Sequence, residues 1–479
     1  MSARALAFHQ RLSAFSIVFS IALAFSTLFF ILTTTDPLLV QDGWYYLDVF
    51  FSRAIEGQLA ISDFFIRRGG FDHSQPLYKL IYLIELRRFD LDFTPQAVVG
   101  FFSALGIAWI SFLAIKGKKT LSEVTSAQWF GLSALLTCVV SLNSTEIWTW
   151  PDVTIQYISF FCVILFFLVL ATIHGSSRLL LAGLTSLLVT LAASDVAVLA
   201  VAAVFAVFLV QGVRVWRSDA KPMLLVIAIF ILTETVLYWA TPVIGGTPSS
   251  QGAGVSLENL SECWKWIVLP LANSVIAKDN LALVFPKYLF ASQLVISCLM
   301  ILAHLAFWRA FFRSEKVGVY AFASYVMLFF YALVLGIVVG RVGRFGADYL
   351  NSPRYVLYYQ FNLIALIVMS VSHFDSRRAA GLVRVGFTMI FIAWFALQVP
   401  LSNYAWESAP YHRLAYVKIA SQVDAIRKNP SSTPTGCAPE LPLCTMSEAN
   451  RIRLIGLLYS RKLNIYSNKF RAMHGFISS

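Results

Sequence analysis

Five aspartates, Asp36, Asp42, Asp48, Asp63 and Asp72, fall within residues 36–88, directly after the first hydrophobic run of the chain. This stretch, DPLLVQDGWYYLDVFFSRAIEGQLAISDFFIRRGGFDHSQPLYKLIYLIELRR, is too polar to cross a bilayer and too aromatic and amphipathic for an ordinary connection. A carboxylate held at a membrane surface can take a proton from a substrate. The stretch therefore reads as the active-site loop of a membrane enzyme. A carboxylate at the bilayer centre costs about 2.5–3.5 kcal/mol, so acids belong at span ends unless function demands otherwise. Asp36, Asp42, Glu146, Asp152, Asp195 and Asp348 all fall at or near the ends of hydrophobic runs, and on one side in the topology below. Orientation bias explains part of that distribution. Glu234, inside a run, is expected to be paired or to face a cavity, and the lone loop His73 to be surface decoration.

The elements that must position these acids are membrane helices. The chain of 479 residues is 58% hydrophobic and 13% charged, with a mean hydropathy of +0.72. Soluble domains carry about a quarter charged residues, so this composition marks an integral membrane protein. The hydrophobic runs are continuously apolar and reach the roughly 20 residues a helix needs to span. That excludes the alternating pattern of a β-barrel. The net charge of +12 is scattered over short loops and the C-terminal tail. It fits membrane orientation and lipid-phosphate contact, and it excludes a nucleic-acid partner.

Basic residues set the orientation. Arg4 and Arg11 precede the first run, residues 12–34, which reads as a retained signal anchor. The next run, 95–115, ends at Lys116, Lys118 and Lys119, so residues 35–94 form an external loop. Two juxtamembrane helices are expected in it, at 44–59 and 76–89. The first carries Asp48, Ser52 and Glu56 on one stripe, and the second is about 16 Å long in its apolar part, too short to span. Further spans are expected at 128–142, 154–173, 179–193, 196–213, 222–240, 288–308, 317–339, 355–372 and 385–399, with a third interfacial helix near 258–277. That makes eleven spans, a transmembrane domain over residues 1–400, and a small external C-terminal domain over 401–479. The ten Lys and Arg of the tail oppose an external location, but long terminal domains translocate largely regardless of charge. Cys437 and Cys444 enclose the short loop CAPELPLC, a disulfide candidate in an oxidising compartment. Cys138, Cys162 and Cys298 fall in spans as packing residues. Residues 450–466 read as helix then strand, capping the loops. Asn143 and Asn259 begin glycosylation sequons that matter only in a eukaryotic lumen.

Three segments resemble the C-superfamily of glycosyltransferases, membrane enzymes that use polyprenyl-phosphate sugars. DPLLVQDGWYY resembles the first external loop of that family, with Asp42 at the catalytic position, Gly43 where a second acid often stands, and Tyr45 or Tyr46 as the aromatic. DHSQPLYKLIYLIEL resembles the segment that opens the second juxtamembrane helix. Pro76, Leu77 and Tyr78 match, and Lys79 matches a lysine of the protein mannosyltransferase branch. Gln75 and Ser74 depart from the pattern there. WTWPDVTIQYISFF is similar to the segment in which an Asp begins the fourth span, here Asp152. The matches cover residues 10–215, in order; the second half carries none.

The resemblance implies that Asp42 takes the proton of an acceptor hydroxyl as its oxygen attacks the anomeric carbon, in a single inverting displacement. Asp152 is the second catalytic candidate, and Asp36 and Tyr46 are substrate-binding candidates. The leaving phosphate needs external cations. Arg67, Arg68, Lys79, Arg341, Arg344 and Arg354 are available, with Lys79 and Arg354 preferred. No cofactor is implied, although Asp36 and Asp152 offer oxygen ligands for a divalent cation. The implied setting is a bacterial inner membrane with a periplasmic active site. The implied partners are a polyprenyl-phosphate sugar donor, a cell-envelope glycan or lipid acceptor, and membrane lipids. Two alternatives stand beside this reading. A transporter or flippase of lipid-linked sugars would show midplane charges, broken helices and paired repeats, none of which is visible in the sequence. A polysaccharide polymerase or ligase would concentrate Arg and His in a late loop, where Arg341, Arg344 and Arg354 stand.

Overall fold

The computed structural model describes residues 3–68, 74–172, 176–211, 228, 230–233, 243–244, 261–314, 318–375 and 381–475. The described chain is helical, apart from a two-residue parallel pairing of Arg67–Arg68 with Val243–Ile244. Among the described residues, six helices are long and apolar enough to cross a membrane: Gln10–Thr34, Thr94–Lys116, Pro151–Thr172, Pro286–Arg313, Val319–Phe345 and Pro353–His373. Ser126–Val140, Leu180–Ala192 and Ser194–Val207 are shorter apolar helices. The expected span 222–240 lies largely outside the described residues, as do Glu234, Asp72, His73 and Asn259.

These helices are apolar outward. The first exposes Phe15, Val18, Phe25, Phe29 and Leu32, while Ser16, Ser20 and Thr27 are buried. A soluble protein would not display such a stripe; in lipid it is the natural face. The buried hydroxyls bond to the helix Ser126–Val140. Ser20 Oγ meets Thr137 Oγ1 at 2.8 Å, and Thr27 Oγ1 donates to the Val140 carbonyl at 2.7 Å. Small polar residues at such a seam let two membrane helices approach and replace a missing hydrophobic drive. The chain is thus an integral membrane protein of all-helical fold.

The acid-rich segments meet at one end of the bundle. The Asp36 N–H donates to the Thr149 carbonyl at 2.8 Å, and Phe93 N–H to Pro37 O at 3.5 Å. Ser194 N–H donates to Ser74 O at 3.2 Å, which brings the 194–195 corner to the same end. Lys116 and Arg313 close the far ends of their helices, and Arg178, in the first turn of Ser176–Ala192, donates to the Leu170 carbonyl at 2.7 Å.

Several elements differ from the sequence reading. The first loop helix runs from Asp42 to Ile55 as Asp42–Tyr46, a π turn over Leu47–Phe51, and Ser52–Ile55. Its Leu47, Phe50 and Phe51 are buried in the protein core. The second is Pro76–Arg88, opened by its proline as expected. The third interfacial helix is instead a broken pair, Lys265–Val275 and Lys278–Val284, bent by 75°. Asn143 and Asn273 hold that bend. Asn143 Oδ1 accepts from Ala277 N–H at 2.7 Å, and Asn273 Oδ1 from Lys278 N–H at 2.8 Å. Asn143 is 2% exposed, so the first sequon is sealed in the fold.

The boundary expected near residue 400 falls inside one helix, Gly381–Lys428. The expected strand of the tail is a 3₁₀ turn, Asn464–Tyr466, after helix Glu448–Ser460. Lys462 and Asn464 both take positive φ, which breaks the extended pattern. Asn464 Nδ2 then donates to Pro37 O and Leu91 O, at 3.2 and 2.6 Å. Ser467 Oγ reaches Asp90 Oδ2 at 2.7 Å, and His474 Nε2 lies 2.8 Å from Asp92 Oδ2. The tail therefore covers the first loop, and Cys437 is joined to Cys444 within it.

A close backbone approach at a glycine sits under the acid face. A Cβ on Gly100 would stand 2.3 Å from the Thr154 carbonyl oxygen, whereas a Cβ on Gly183 would meet nothing within 4 Å. Gly100→Val should lower stability by about 2 kcal/mol through overpacking, read as a lower thermal midpoint of the purified protein. Gly183→Ala should not lower it.

Candidate functional site

Asp152 is the best-held acid of the face. Pro151 opens its turn, Pro151–Thr154, after an extended Trp150. Tyr82 OH donates to Asp152 Oδ1 at 3.1 Å, and Gln96 Nε2 to the same oxygen at 3.0 Å. One donor comes from the second loop helix and the other from the second span. Asp42 lies close enough for its charge to act on Asp152, and Asp152 close enough to act on Asp36. The three acids singled out in the sequence thus form one electrostatic cluster, drawn from two loops.

Asp42 is exposed at the first turn of its helix. The preceding Gln41 has φ 45°, an uncommon conformation for a side-chain-bearing residue. Its N–H donates to the Glu440 carbonyl at 2.8 Å, so the disulfide-closed loop of the tail fixes the backbone that presents Asp42. Tyr46 OH donates to Gln75 Oε1 at 3.3 Å, and its ring lies 5.0 Å from that of Tyr82. Tyr46 therefore sits beside the tyrosine that holds Asp152.

Asp36 opens onto a cavity of about 520 Å³. Its wall includes Asp36, Ser144, Glu146, Trp150, Asp279 and Glu440, with the helix Gly381–Lys428 closing one side. Burial raises the Asp36 carboxyl to about 7, opposed by the Leu38 N–H that it accepts and helped by the charges of Glu440 and Asp152. Burial also raises Glu146; the Arg354 guanidinium opposes this and Asp279 adds to it.

The cations separate into groups. Arg354 stacks over the rings of Trp150, Tyr349 and Tyr355 at 5.7, 5.5 and 5.5 Å, and donates to the Tyr349 hydroxyl. Arg341 is exposed on the π turn Val338–Val342, within charge range of Tyr355. Arg344 is exposed over the Phe345 ring at 5.1 Å. Lys79 is elsewhere. It is 3% exposed and its Nζ donates to the Ile66 carbonyl at 2.5 Å, where it braces the 61–66 segment. That contact occupies one of the three ammonium N–H groups. Asp63 is likewise structural, paired with Arg53 at 2.7 Å and accepting from Ala60 N–H. Asp48 pairs with Arg453 of the tail at 2.5 Å.

Glu85 was not singled out in the sequence. It is 1% exposed on the buried face of helix Pro76–Arg88, with Tyr78 and Tyr82. Burial holds its carboxyl well above the usual range, and the charges of Asp152 and Asp92 add to this. The signal was its i+3 and i+7 spacing from those tyrosines, inside an apolar run.

Among the described residues, no group of three or more His, Cys, Asp or Glu is arranged to hold a metal ion. Comparisons with protein-family models, curated proteins and solved structures give no match to this chain.

The raised Asp36 carboxyl has a signed consequence. The folded state favours its protonated form, so that contribution to stability is present at acid pH and is lost as pH rises through about 7. The thermal midpoint of the wild type should therefore fall between pH 5.5 and pH 8 by more than that of Asp36→Asn. Parallel curves for the two proteins would contradict the assignment.

Proposed function

We propose that this chain is an inverting membrane glycosyltransferase that moves a sugar from a polyprenyl phosphate to a cell-envelope glycan or lipid. The observation that carries the reading is the meeting of Asp42, Asp152 and Asp36, from two loops, beside a cavity at one end of the bundle. In this reading Asp42 takes the proton of the acceptor hydroxyl. The freed oxygen forms a new bond to the anomeric carbon, and the bond to the phosphate oxygen breaks, its electrons leaving with the polyprenyl phosphate. Asp152, Asp36 and Tyr46 orient base and acceptor. Arg354, Arg341 and Arg344 hold the phosphate, Arg by its planar fork. A divalent cation is not required by this scheme.

An apolar cavity of about 450 Å³ supports a lipid-linked donor. It lies between the broken pair and two spans, with Trp266, Leu271, Leu305 and Val334 among its walls. The broken pair also lends Ala277, Asp279 and Asn280 to the acid-face cavity. That favours a site at the membrane surface over a transporter's midplane site.

The fold that goes with this reading has a family-like arrangement of eleven crossings. Six are the long helices and three the shorter apolar ones, and the start of Gly381–Lys428 is a tenth; the eleventh, expected at 222–240, lies largely outside the described residues. The basic ends then face the cytoplasm and the acid face the periplasm of a bacterial inner membrane.

The test is transfer by the purified protein from a polyprenyl phosphate carrying a radiolabelled sugar to an envelope extract. Asp42→Asn should lower turnover by about 10²–10⁴-fold, the scale of a lost general base, with the thermal midpoint kept. Full turnover in a folded Asp42→Asn protein would sink the proposed role.

A further inference from the structure

Charge is uneven over the acid face: a carboxylate-lined cavity has Trp150 in its wall, and Arg354 lies over the same ring. The cavity is about 520 Å³, a size typical of small-molecule sites. Among the described residues it is lined by four carboxylates, Asp36, Glu146, Asp279 and Glu440, and by no Lys or Arg. Arg354 lies over the Trp150 ring, held also by Tyr349 and Tyr355; it is outside the lining, although its charge reaches Glu146. An anionic group entering the cavity would meet the carboxylates of Asp279 and Glu440, which disfavour it. The same group is attracted to Arg354.

The cavity also contains an unmet hydrogen-bonding group. Ser144 lines it and is 4% exposed, and the Ser144 hydroxyl has no hydrogen-bond partner. A buried hydroxyl left without a partner is destabilising. A ligand that brings its own hydroxyls can both give and accept a bond there. Carboxylates suit the same ligand as acceptors, and the Trp150 ring offers an apolar wall. Neighbouring amides are already committed: Asn280 Nδ2 donates to Asn143 O at 2.6 Å, and Asn143 Oδ1 accepts from Ala277 N–H. These fixed bonds make the wall that carries Ser144 rigid.

We infer that this cavity binds an uncharged, polyhydroxylated sugar unit of the acceptor and disfavours phosphorylated or carboxylated sugars, the donor phosphate staying with Arg354. The assignment of the ligand as acceptor rests on the transferase reading; the binding selectivity does not. Asp36, with its carboxyl raised to about 7, can donate as well as accept near neutrality. Glu440 makes the site depend on the tail, since it reaches the cavity from the loop closed by Cys437 and Cys444.

The experiment uses the full-length protein in detergent micelles, without donor lipid. Saturation-transfer NMR is recorded with methyl glucoside and with glucose 6-phosphate at equal concentration. The methyl glucoside signal should exceed that of the phosphate ester by about tenfold. Ser144→Ala should weaken the methyl glucoside signal, and the isosteric Glu440→Gln should raise that of glucose 6-phosphate. Both variants are checked for an unchanged thermal midpoint, and either one alone suffices if the other is unstable. No methyl glucoside signal, equal signals from the two probes, or signals unmoved by the variants overturn the inference. Because no donor is present, a failure of glycosyl transfer leaves this result standing. Intact transfer with failed selectivity overturns this inference alone.

Discussion

Two hydrogen bonds to a single oxygen, from Tyr82 and Gln96 to Asp152 Oδ1, tie together the parts of the protein that face one side of the membrane. Tyr82 belongs to a helix of the first loop, Gln96 to the second span, and Asp152 to the turn that opens the third long apolar helix. A carboxylate this deep needs its lone pairs met. Meeting them fixes the spacing of three elements. The close approach of Gly100 to the Thr154 backbone follows from the same junction, as does the proximity of Asp42. Glu85 lies beneath, where burial and the charges of Asp152 and Asp92 raise its carboxyl.

The tail completes what the first loop cannot hold by itself. Gln41, Asp90 and Leu91 take positive φ, a conformation that costs of order 1–3 kcal/mol per residue and persists where surroundings over-determine it. Here the surroundings are the tail: Glu440 O on Gln41 N–H, Asn464 on the carbonyl of Leu91, and Ser467 on Asp90. Strain is thus concentrated on either side of the loop that presents Asp42. Nothing in the order of the chain foretells this, because the two partners are about 400 residues apart in sequence.

Some of the arrangement was legible from residue types. Acids avoid the bilayer centre, so Asp36, Asp42 and Asp152 had to stand at span ends, and alternation of spans put them on one side. Pro76 marked a helix start correctly because its missing N–H is harmless there. Other features were hidden by long-range packing. The location of Lys79 outside the apolar spans was visible, but its burial against Ile66 O was not. Glu85 drew no attention in the sequence, because its burial depends on packing that the order of the chain does not show. The bend at 275–278 sits between two apolar segments, and its cause is a pair of asparagine side chains, one of them 130 residues away. The cavity itself depends on the helix Gly381–Lys428 continuing beyond the span expected to end at residue 399.

The central claim is a single displacement at an anomeric carbon, served by one carboxylate base on the first loop. The anomeric configuration of the product measures this most directly, read by NMR coupling constants after transfer from a polyprenyl phosphate sugar of defined anomer. The account predicts complete inversion. Retained configuration would contradict the one-base scheme, and absence of transfer from any polyprenyl-phosphate sugar would contradict the assignment as a glycosyltransferase.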